Sequence, residues 1–370
     1  MKRLLGFFSV VTLCVASAAL PALAQSDAVR ALYASSATVS TNVPGIKTYP
    51  APPAGFNAIT ASDEALATYG LPPRPNQQND PHAYAGWVRA MAHARHPFTG
   101  QLKPHPEAVL GPAKLSQKQP AVTAGSATPS NYGSLNWSGV ANSNKLTKWN
   151  ANTSFNNVFS EFNVPVVDQT FDTCNPIEWE VTWNGIDGAL NGTVLQGGSS
   201  SQTFCTNGSV TANYYAWVEW YPSYPIVEVF AVNPGDDMYV NTFSTGGSCS
   251  PGSVYVEDET TLEFGTFQLD WLNGPCLAGS SAEIIVERPF GDGSTASGFY
   301  PLANYIWDFA LSWDYNAKGT EFGPGLTSPT TLIFTMVDDS GDQNISIPTV
   351  EGKYSMFFWD TNCAYTGGCK

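Results

Sequence analysis

Beyond about position 131 the hydrophobic residues come in short stretches of Val, Tyr, Trp and Phe mixed with Thr, separated by clusters of Gly, Asn, Ser and Asp, and none repeats at long helical spacing. That pattern predicts many strands joined by turns. Side chains alternate across a strand, so Tyr214 to Trp220 places Tyr215, Trp217 and Glu219 on one face, and Ser281 to Arg288 places Glu283, Ile285 and Glu287 on one face. Carboxylates and aromatics that face one way line a groove in a curved sheet, and the expected fold is all-β, an antiparallel two-sheet β-sandwich. No repeat of about 20 to 50 residues suggests a propeller or solenoid.

The N-terminal part reads differently. Lys2 and Arg3 precede an apolar run from Leu4 to about Leu20, followed by Ala22-Leu23-Ala24, the layout of a cleaved secretory signal over residues 1–24. Residues 25–130 are rich in Pro and Ala, with one helix-compatible piece from Pro81 to Arg95, and read as a mostly irregular prosegment. The Gly/Ser/Thr/Pro stretch Gln117 to Tyr132 suits proteolytic access and sets a boundary near residue 130, leaving 131–370 as the mature domain. The most apolar later stretch, Tyr214 to Val232, is broken by Glu219 and Glu228, so no membrane span is expected. Export to an extracellular or periplasmic space is the expected localisation.

Charge divides the chain at the same place. Residues 25–130 hold 8 basic and 5 acidic residues, a net of +3, whereas residues 131–370 hold 6 and 26, a net of −20. All four histidines, His82, His93, His96 and His105, lie in the first segment. The mature domain therefore lacks the residue needed for a Ser-His-Asp triad, a Cys-His dyad or a His-ligated zinc, and carboxylates are the catalysts left. Its acidity makes nucleic acid a poor partner. Six cysteines remain after the signal, at 174, 205, 249, 276, 363 and 369; in an oxidising compartment these form up to three disulfides, with the connectivity open and Cys363 and Cys369 close enough for a small C-terminal loop. No cysteine spacing resembles a zinc site, and neither metal nor cofactor is expected. Glu257-Asp258-Glu259 reads as a solvated acidic turn.

Four blocks stand out in order: Asn136-Trp137-Ser138-Gly139; Trp183-Asn184-Gly185-Ile186-Asp187-Gly188 leading to Val194-Leu195-Gln196-Gly197-Gly198; Trp217-Val218-Glu219-Trp220-Tyr221-Pro222; and Ala282-Glu283-Ile284-Ile285-Val286-Glu287. In this order and spacing they resemble the glutamic peptidases, or eqolisins, over roughly residues 131–310. The resemblance implies a concanavalin A-like, jelly-roll sandwich with a glutamine and a glutamate as catalytic pair on the concave sheet. Transferred block by block, it implies Gln196 and Glu287 as that pair, with Trp137, Trp183, Asp187, Trp217, Glu219 and Tyr221 as binding or supporting residues. The chain departs from the family pattern at Gly197, where Thr is common, and at Tyr215, where a polar residue is common. Cys276 lies near a family cysteine whose expected partner is absent.

The chemistry follows from the side chains. An ionised Glu287 accepts a proton from water, while the amide of Gln196 offers donors to the developing oxyanion and an acceptor to the water. A glutamate with an ordinary pKa of about 4.3 serves as base and then acid near pH 3 to 5, so an acid optimum is expected. Polypeptides are the expected substrates, the active form a monomer, and the +3 segment an inhibitor that docks on the −20 domain near neutral pH, loosens in acid and is cut away by the enzyme itself. Two other classes fit less of the sequence: a jelly-roll glycoside hydrolase using Glu219 and Glu287 as its carboxyl pair, and a lectin-like binding module. The requirement shared by the peptidase reading is that Gln196 and Glu287 meet across neighbouring strands at the floor of an open trough.

Overall fold

The computed structural model describes residues 22–117, 130–167, 177–244, 249–291, 298–303, 305, 307–316, 321–322 and 330–361. Most of the expected signal region lies outside these residues, as do Cys174, Cys363 and Cys369. The N-terminal segment carries three helices, α1 (Ala22–Ser35), α2 (Asp63–Thr68) and α3 (Pro81–His93), and four short strands, β1 (Val39–Ser40), β2 (Ile46–Thr48), β3 (His96–Pro97) and β4 (Lys103–His105). The domain that follows consists of β5 (Ser130–Ser134), β6 (Trp137–Ser143), β7 (Phe155–Asn163), β8 (Glu178–Ile186), β9 (Val194–Thr206), β10 (Ser209–Tyr221), β11 (Ile226–Ala231), β12 (Asp237–Ser244), β13 (Gly252–Asp258), β14 (Glu263–Leu269), β15 (Ser281–Glu287), β16 (Trp307–Asn316), β17 (Glu321–Phe322), β18 (Thr331–Val337), β19 (Asn344–Val350) and β20 (Ser355–Asp360).

These strands build two layers. In the front layer the order is β4-β11-β10-β9-β8-β15-β6-β18, with β5 beside β18; in the back layer it is β2-β14-β13-β12-β7-β16-β20-β19, and β18 pairs with β19 where the layers join. Among the described strands, pairing is antiparallel except at β14 with β3 and β18 with β5. The all-β, antiparallel expectation therefore holds. The layers meet face to face: Asn184 Nδ2 donates to the Val240 carbonyl at 2.9 Å, and Ile186, Leu195, Val218, Ile284, Val240, Val254 and Phe267 share one buried apolar cluster. Gly197 belongs to this inner face, where a Cβ would lie 2.4 Å from Val254 Cγ1, so the missing threonine there concerns sheet packing and not the groove.

The N-terminal segment is more ordered than its composition suggests. Its helix is predicted from Pro81 to Arg95 and observed as Pro81–His93, with Ala83, Gly86, Trp87, Ala90 and Met91 buried at helical spacing. That stripe covers the outer face of the back layer, where Phe159, Tyr239, Tyr255, Phe264 and Trp313 join the same cluster. Apolar cover on one side and strand edges on the other explain why a Pro-rich segment takes fixed structure: β2 adds to β14 and β4 adds to β11. The acidic turn is also corrected. Glu257 and Asp258 end strand β13 and are buried, Glu257 accepting from the Tyr255 hydroxyl at 2.6 Å and Asp258 accepting from the backbone of Thr260 and Thr261. Period two turns Glu257, with Tyr255, toward the covered face, and the turn amides satisfy Asp258, which charge alone did not reveal.

Cys249 and Cys276 form a disulfide, and Cys205 is disulfide-bonded as well. Among the described residues there is no cluster of His, Cys, Asp and Glu able to hold a metal ion, and no helix long and apolar enough to cross a membrane.

Close strand approach at Gly198 gives a direct test of this packing. A Cβ there would fall 2.0 Å from the Thr182 carbonyl oxygen and 2.7 Å from Trp183 Cα, both backbone atoms that cannot swing aside. Gly198→Ala is expected to destabilise the protein by about 1 to 3 kcal/mol, seen as a melting temperature several degrees lower at fixed pH; an unchanged melting temperature contradicts this strand spacing.

Candidate functional site

A two-residue turn sets the register of the site. Asn207 and Gly208 both have positive φ, 54° and 81°, the conformation of the tight hairpin turn that Asn-Gly favours. The hairpin β9–β10 then runs without a slip from Thr206–Ser209 down to Gln196 opposite Glu219. On the other side of β9, Gln196 lies opposite Gly185 of β8, and Glu287 of β15 lies opposite Val181 of β8 and Trp137 of β6. Period two points Glu219, Gln196, Trp183, Glu287 and Trp137 to the outer face of the front layer, in a row across five strands. Gly185 makes room for it: a Cβ there would sit 3.2 Å from Gln196 Cβ and 2.8 Å from the Trp183 ring.

Gln196 and Glu287 thus share one face of one sheet, as the sequence requires, but not on neighbouring strands. Strand β8 stands between them, and its Trp183 fills the gap by donating Nε1–H to Glu287 Oε2 at 3.1 Å. The open trough is a second correction. Gln196, Glu219, Glu287, Trp137, Trp183 and Trp217 are all 0 % exposed. What seals them is the chain itself: residues 108–114 run over the row and bond to it through their backbone.

Those bonds are specific. The Leu110 carbonyl accepts from Gln196 Nε2 at 3.4 Å, and the Gly111 N–H donates to Glu287 Oε1 at 3.3 Å. Trp137 Nε1 donates to the Gly111 carbonyl at 3.0 Å, and Asn136 Nδ2 to the Pro112 carbonyl at 3.3 Å. Ala113 N–H donates to the Gly188 carbonyl at 3.2 Å, and Val109 exchanges both backbone bonds with Phe290 at 2.9 Å. Gln196 Nε2 also donates to Glu219 Oε2 at 2.9 Å, and since the Leu110 carbonyl can only accept, the amide orientation is fixed, leaving Oε1 buried without a partner among the described residues.

Burial dominates the electrostatics. It pushes the Glu287 carboxyl well above the usual range, against the pull of donors from Asn136, the Gly111 N–H, Trp183 and Trp137. Burial likewise raises Glu219, helped by the charge of Glu287 and opposed by the Leu110 N–H and Gln196. Burial, and for Glu219 also the charge of Glu287, therefore favours the neutral carboxyl under the cover.

The remaining expected residues divide. Trp217 lies on the covered face, in one cluster with Trp183, Leu110 and Tyr215. Tyr221 flanks the cover, its ring 3.6 Å from where a Gly111 Cβ would stand. Asp187 plays a different part, because its carboxylate accepts from the backbone of Ala278, Gly279 and Ser280 at 2.6 to 3.0 Å and so anchors that loop beside β15. Trp220 faces the inter-sheet core. Asn136 was not singled out for the site, yet its Nδ2 donates to Glu287 Oε1 at 2.8 Å and its side chain is buried. Its place beside Trp137 in the first block was the available signal; its Asn-x-Ser context is misleading, because a buried side chain presents no site for a glycan. The segment 108–114 carried no recognisable signal.

Charged contacts tie the N-terminal segment to the domain on both layers. Lys47 pairs with Asp270 at 2.8 Å, Arg89 with Glu161 at 2.6 Å, Lys103 with Glu228 at 3.0 Å and His105 with Glu228 at 2.8 Å. The His105 ring also stacks on Tyr215 and bonds Glu107 at 2.8 Å. Burial pulls the His105 pKa down, but the bonds to Glu228 and Glu107 outweigh it and the net shift is upward. Glu228 is held below its usual range, chiefly by His105 and then by Lys103.

Comparison with known proteins bears on the same stretch. The Peptidase A4 family model matches residues 135–310. Similar solved structures include scytalido-glutamic peptidase with a peptide-based transition state analog (20 % identity, 61 % of this chain and 98 % of that one, TM-score 0.47). SCP-B, an eqolisin in complex with the tripeptide Ala-Ile-His, gives 19 % identity over 61 % and 98 %, with a TM-score of 0.45. Aspergilloglutamic peptidase from Aspergillus niger gives 23 % over 50 % and 99 %, with a TM-score of 0.39. No curated protein matches the chain. The blocks that hold Asn136, Gln196, Glu219 and Glu287 all fall inside the matched stretch, and residues 135–310 belong to the Peptidase A4 family, the glutamic peptidases.

Proposed function

We propose that this chain is the precursor of a secreted acid endopeptidase in which Glu287 and Gln196 activate water, and that its N-terminal segment is the inhibitor of the domain it precedes. The observation that carries the reading is a carboxyl and a primary amide on one face of a sheet, contacting the backbone of a peptide segment laid across them. Main-chain bonds of this kind recognise polypeptide irrespective of most side chains.

Each residue has a part in that chemistry. Once the cover leaves, water reaches Glu287 and removes the burial that keeps it neutral, so its pKa falls toward the ordinary value of about 4.3 and it becomes a base in acid. Asn136 and Trp183 each donate to one of its oxygens and hold the carboxylate in place. Gln196 Nε2 points where a substrate carbonyl oxygen becomes negative, while its free Oε1 accepts from the attacking water. Glu219 fixes the amide. The proton taken by Glu287 returns to the leaving amine.

With the N-terminal segment removed by an added protease, the domain is expected to digest denatured protein at about pH 3 to 5. Glu287→Gln should lower that activity by more than about 1,000-fold and Gln196→Ala by about 100- to 1,000-fold, with circular dichroism unchanged. Release of sugar from β-glucan without proteolysis would instead favour the glycoside hydrolase.

Two sets of groups govern how firmly the cover is seated, with opposite signs. Glu228 is depressed, so its pairs with Lys103 and His105 act above the ordinary glutamate pKa of about 4.5 and are lost as pH falls through its lowered value. His105 is raised, so its share persists above the ordinary 6.5 and is lost as pH rises further. Glu287 and Glu219 are raised, and their ionisation with rising pH opposes seating. Seating is firmest in between. In an inactive Glu287→Gln precursor, hydrogen-exchange protection of residues 103–113, corrected for intrinsic rates, should fall as pH drops below about 4. Adding Glu228→Gln should lower protection at about pH 6 and flatten that acid limb; an unchanged acid limb contradicts the assignment.

A further inference from the structure

We infer that the Leu110–Gly111 peptide bond is the bond this chain cuts in itself, seated as a substrate with leucine on the acyl side and glycine on the amine side. The inference rests on the peptidase reading above. Among the described contacts, this is the one peptide bond whose two polar ends meet the two proposed catalytic groups, its carbonyl oxygen at Gln196 Nε2 and its N–H at Glu287 Oε1. Those are the ends that hydrolysis must address: the oxygen that gains charge and the nitrogen that gains a proton.

The flanks hold that bond in place. Before it, Val109 is locked to Phe290 by two backbone bonds; after it, Gly111 and Pro112 carbonyls are held by Trp137 and Asn136. The Leu110 side chain is fully buried in the aromatic cluster that contains Trp217, Tyr215 and Trp183. On the amine side, a Cβ at position 111 would meet the Tyr221 ring at 3.6 to 3.9 Å, ordinary contact, so that subsite accepts a side chain packed on tyrosine. The same geometry therefore assigns substrate preference: a bulky apolar residue before the cut, and an apolar or small residue after it.

The reaction balances with one water. Glu287, ionised, takes a proton from water as the oxygen adds to the Leu110 carbonyl carbon and the carbonyl oxygen gains the electron pair under Gln196. The C–N bond then breaks, its electrons pass to the Gly111 nitrogen, and Glu287 returns the proton there. A new carboxyl forms at Leu110 and a new amine at Gly111. While the segment is fully seated, burial disfavours the ionised base and excludes water, which lets the precursor persist; the cut proceeds once water enters beside the Leu110–Gly111 bond and Glu287 ionises there. Beyond the bond, Lys114 and Ser116 remain paired with Leu135 and Gly133, so the cut separates residues up to Leu110 from a piece that stays with the domain.

The full-length precursor, acidified to about pH 4 and followed by mass spectrometry, should show Gly111 as the first new N-terminus. Its appearance should be first order, with a rate constant unchanged over about 100-fold in protein concentration, as an intramolecular step requires. Leu110→Asp and Gly111→Pro should each slow it by more than about 10-fold, while either precursor, trimmed by an added protease, digests denatured protein as the trimmed wild type does. A first N-terminus elsewhere, a rate proportional to concentration, or unaffected cutting in both variants overturns the assignment. A trimmed wild-type domain inactive on denatured protein at every pH overturns the peptidase reading, and this assignment with it.

Discussion

The outer face of the front layer cannot stand closed without a peptide across it. It presents Glu219, Gln196 and Glu287 among tryptophans, and buried polar groups of this kind destabilise unless hydrogen-bonded. The backbone of residues 110–113 supplies donors and acceptors, and the aromatic rings take up the Leu110 side chain. A groove that needs a peptide to be satisfied will accept other peptides once its own is gone. On the proposed reading, fold, latency and catalysis rest on the same few bonds.

On the proposed reading, electrostatics sets when that cover leaves. The segment is basic and the domain strongly acidic, and the difference is concentrated at particular contacts: Lys47, Arg89, Lys103 and His105 each meet a domain carboxylate. Each such pair at a partly exposed position contributes at most about 1 kcal/mol, so no single one holds the segment. Together with α3 on the back layer they hold it by both faces of the sandwich, which explains how a Pro-rich segment takes fixed structure on the domain.

The sequence carried the alternation of polar and apolar positions, and from it the fold class and the shared faces of Tyr215, Trp217 and Glu219 and of Glu283, Ile285 and Glu287. It also carried the charge division. The strand order was not legible, since pairing between residues as distant as Gln196 and Glu287 is set by tertiary packing, and β8 came to lie between them. One register was available: the Asn207-Gly208 turn places Gln196 opposite Glu219 by counting outward along both strands. The cover was invisible for a physical reason. It binds through its backbone, and main-chain bonds leave little trace in side-chain identity. Asp187, in the same block as Trp183, is a left-handed residue with φ 71° whose carboxylate accepts from three backbone amides and holds a loop, a supporting part that its side-chain identity alone did not specify.

If residues 108–114 occupy the place of a substrate, the same stretch supplied as a free peptide must compete with one. A synthetic peptide of residues 105–116, added to the domain freed of its N-terminal segment, tests this most directly through the kinetics of hydrolysis of a second peptide. The expected result is competitive inhibition, raising KM without changing kcat, weakened by replacing the leucine at position 110 with aspartate. Inhibition that lowers kcat at constant KM, or none at concentrations up to about 1 mM, a Kd range of roughly −4 kcal/mol and weaker, would contradict it.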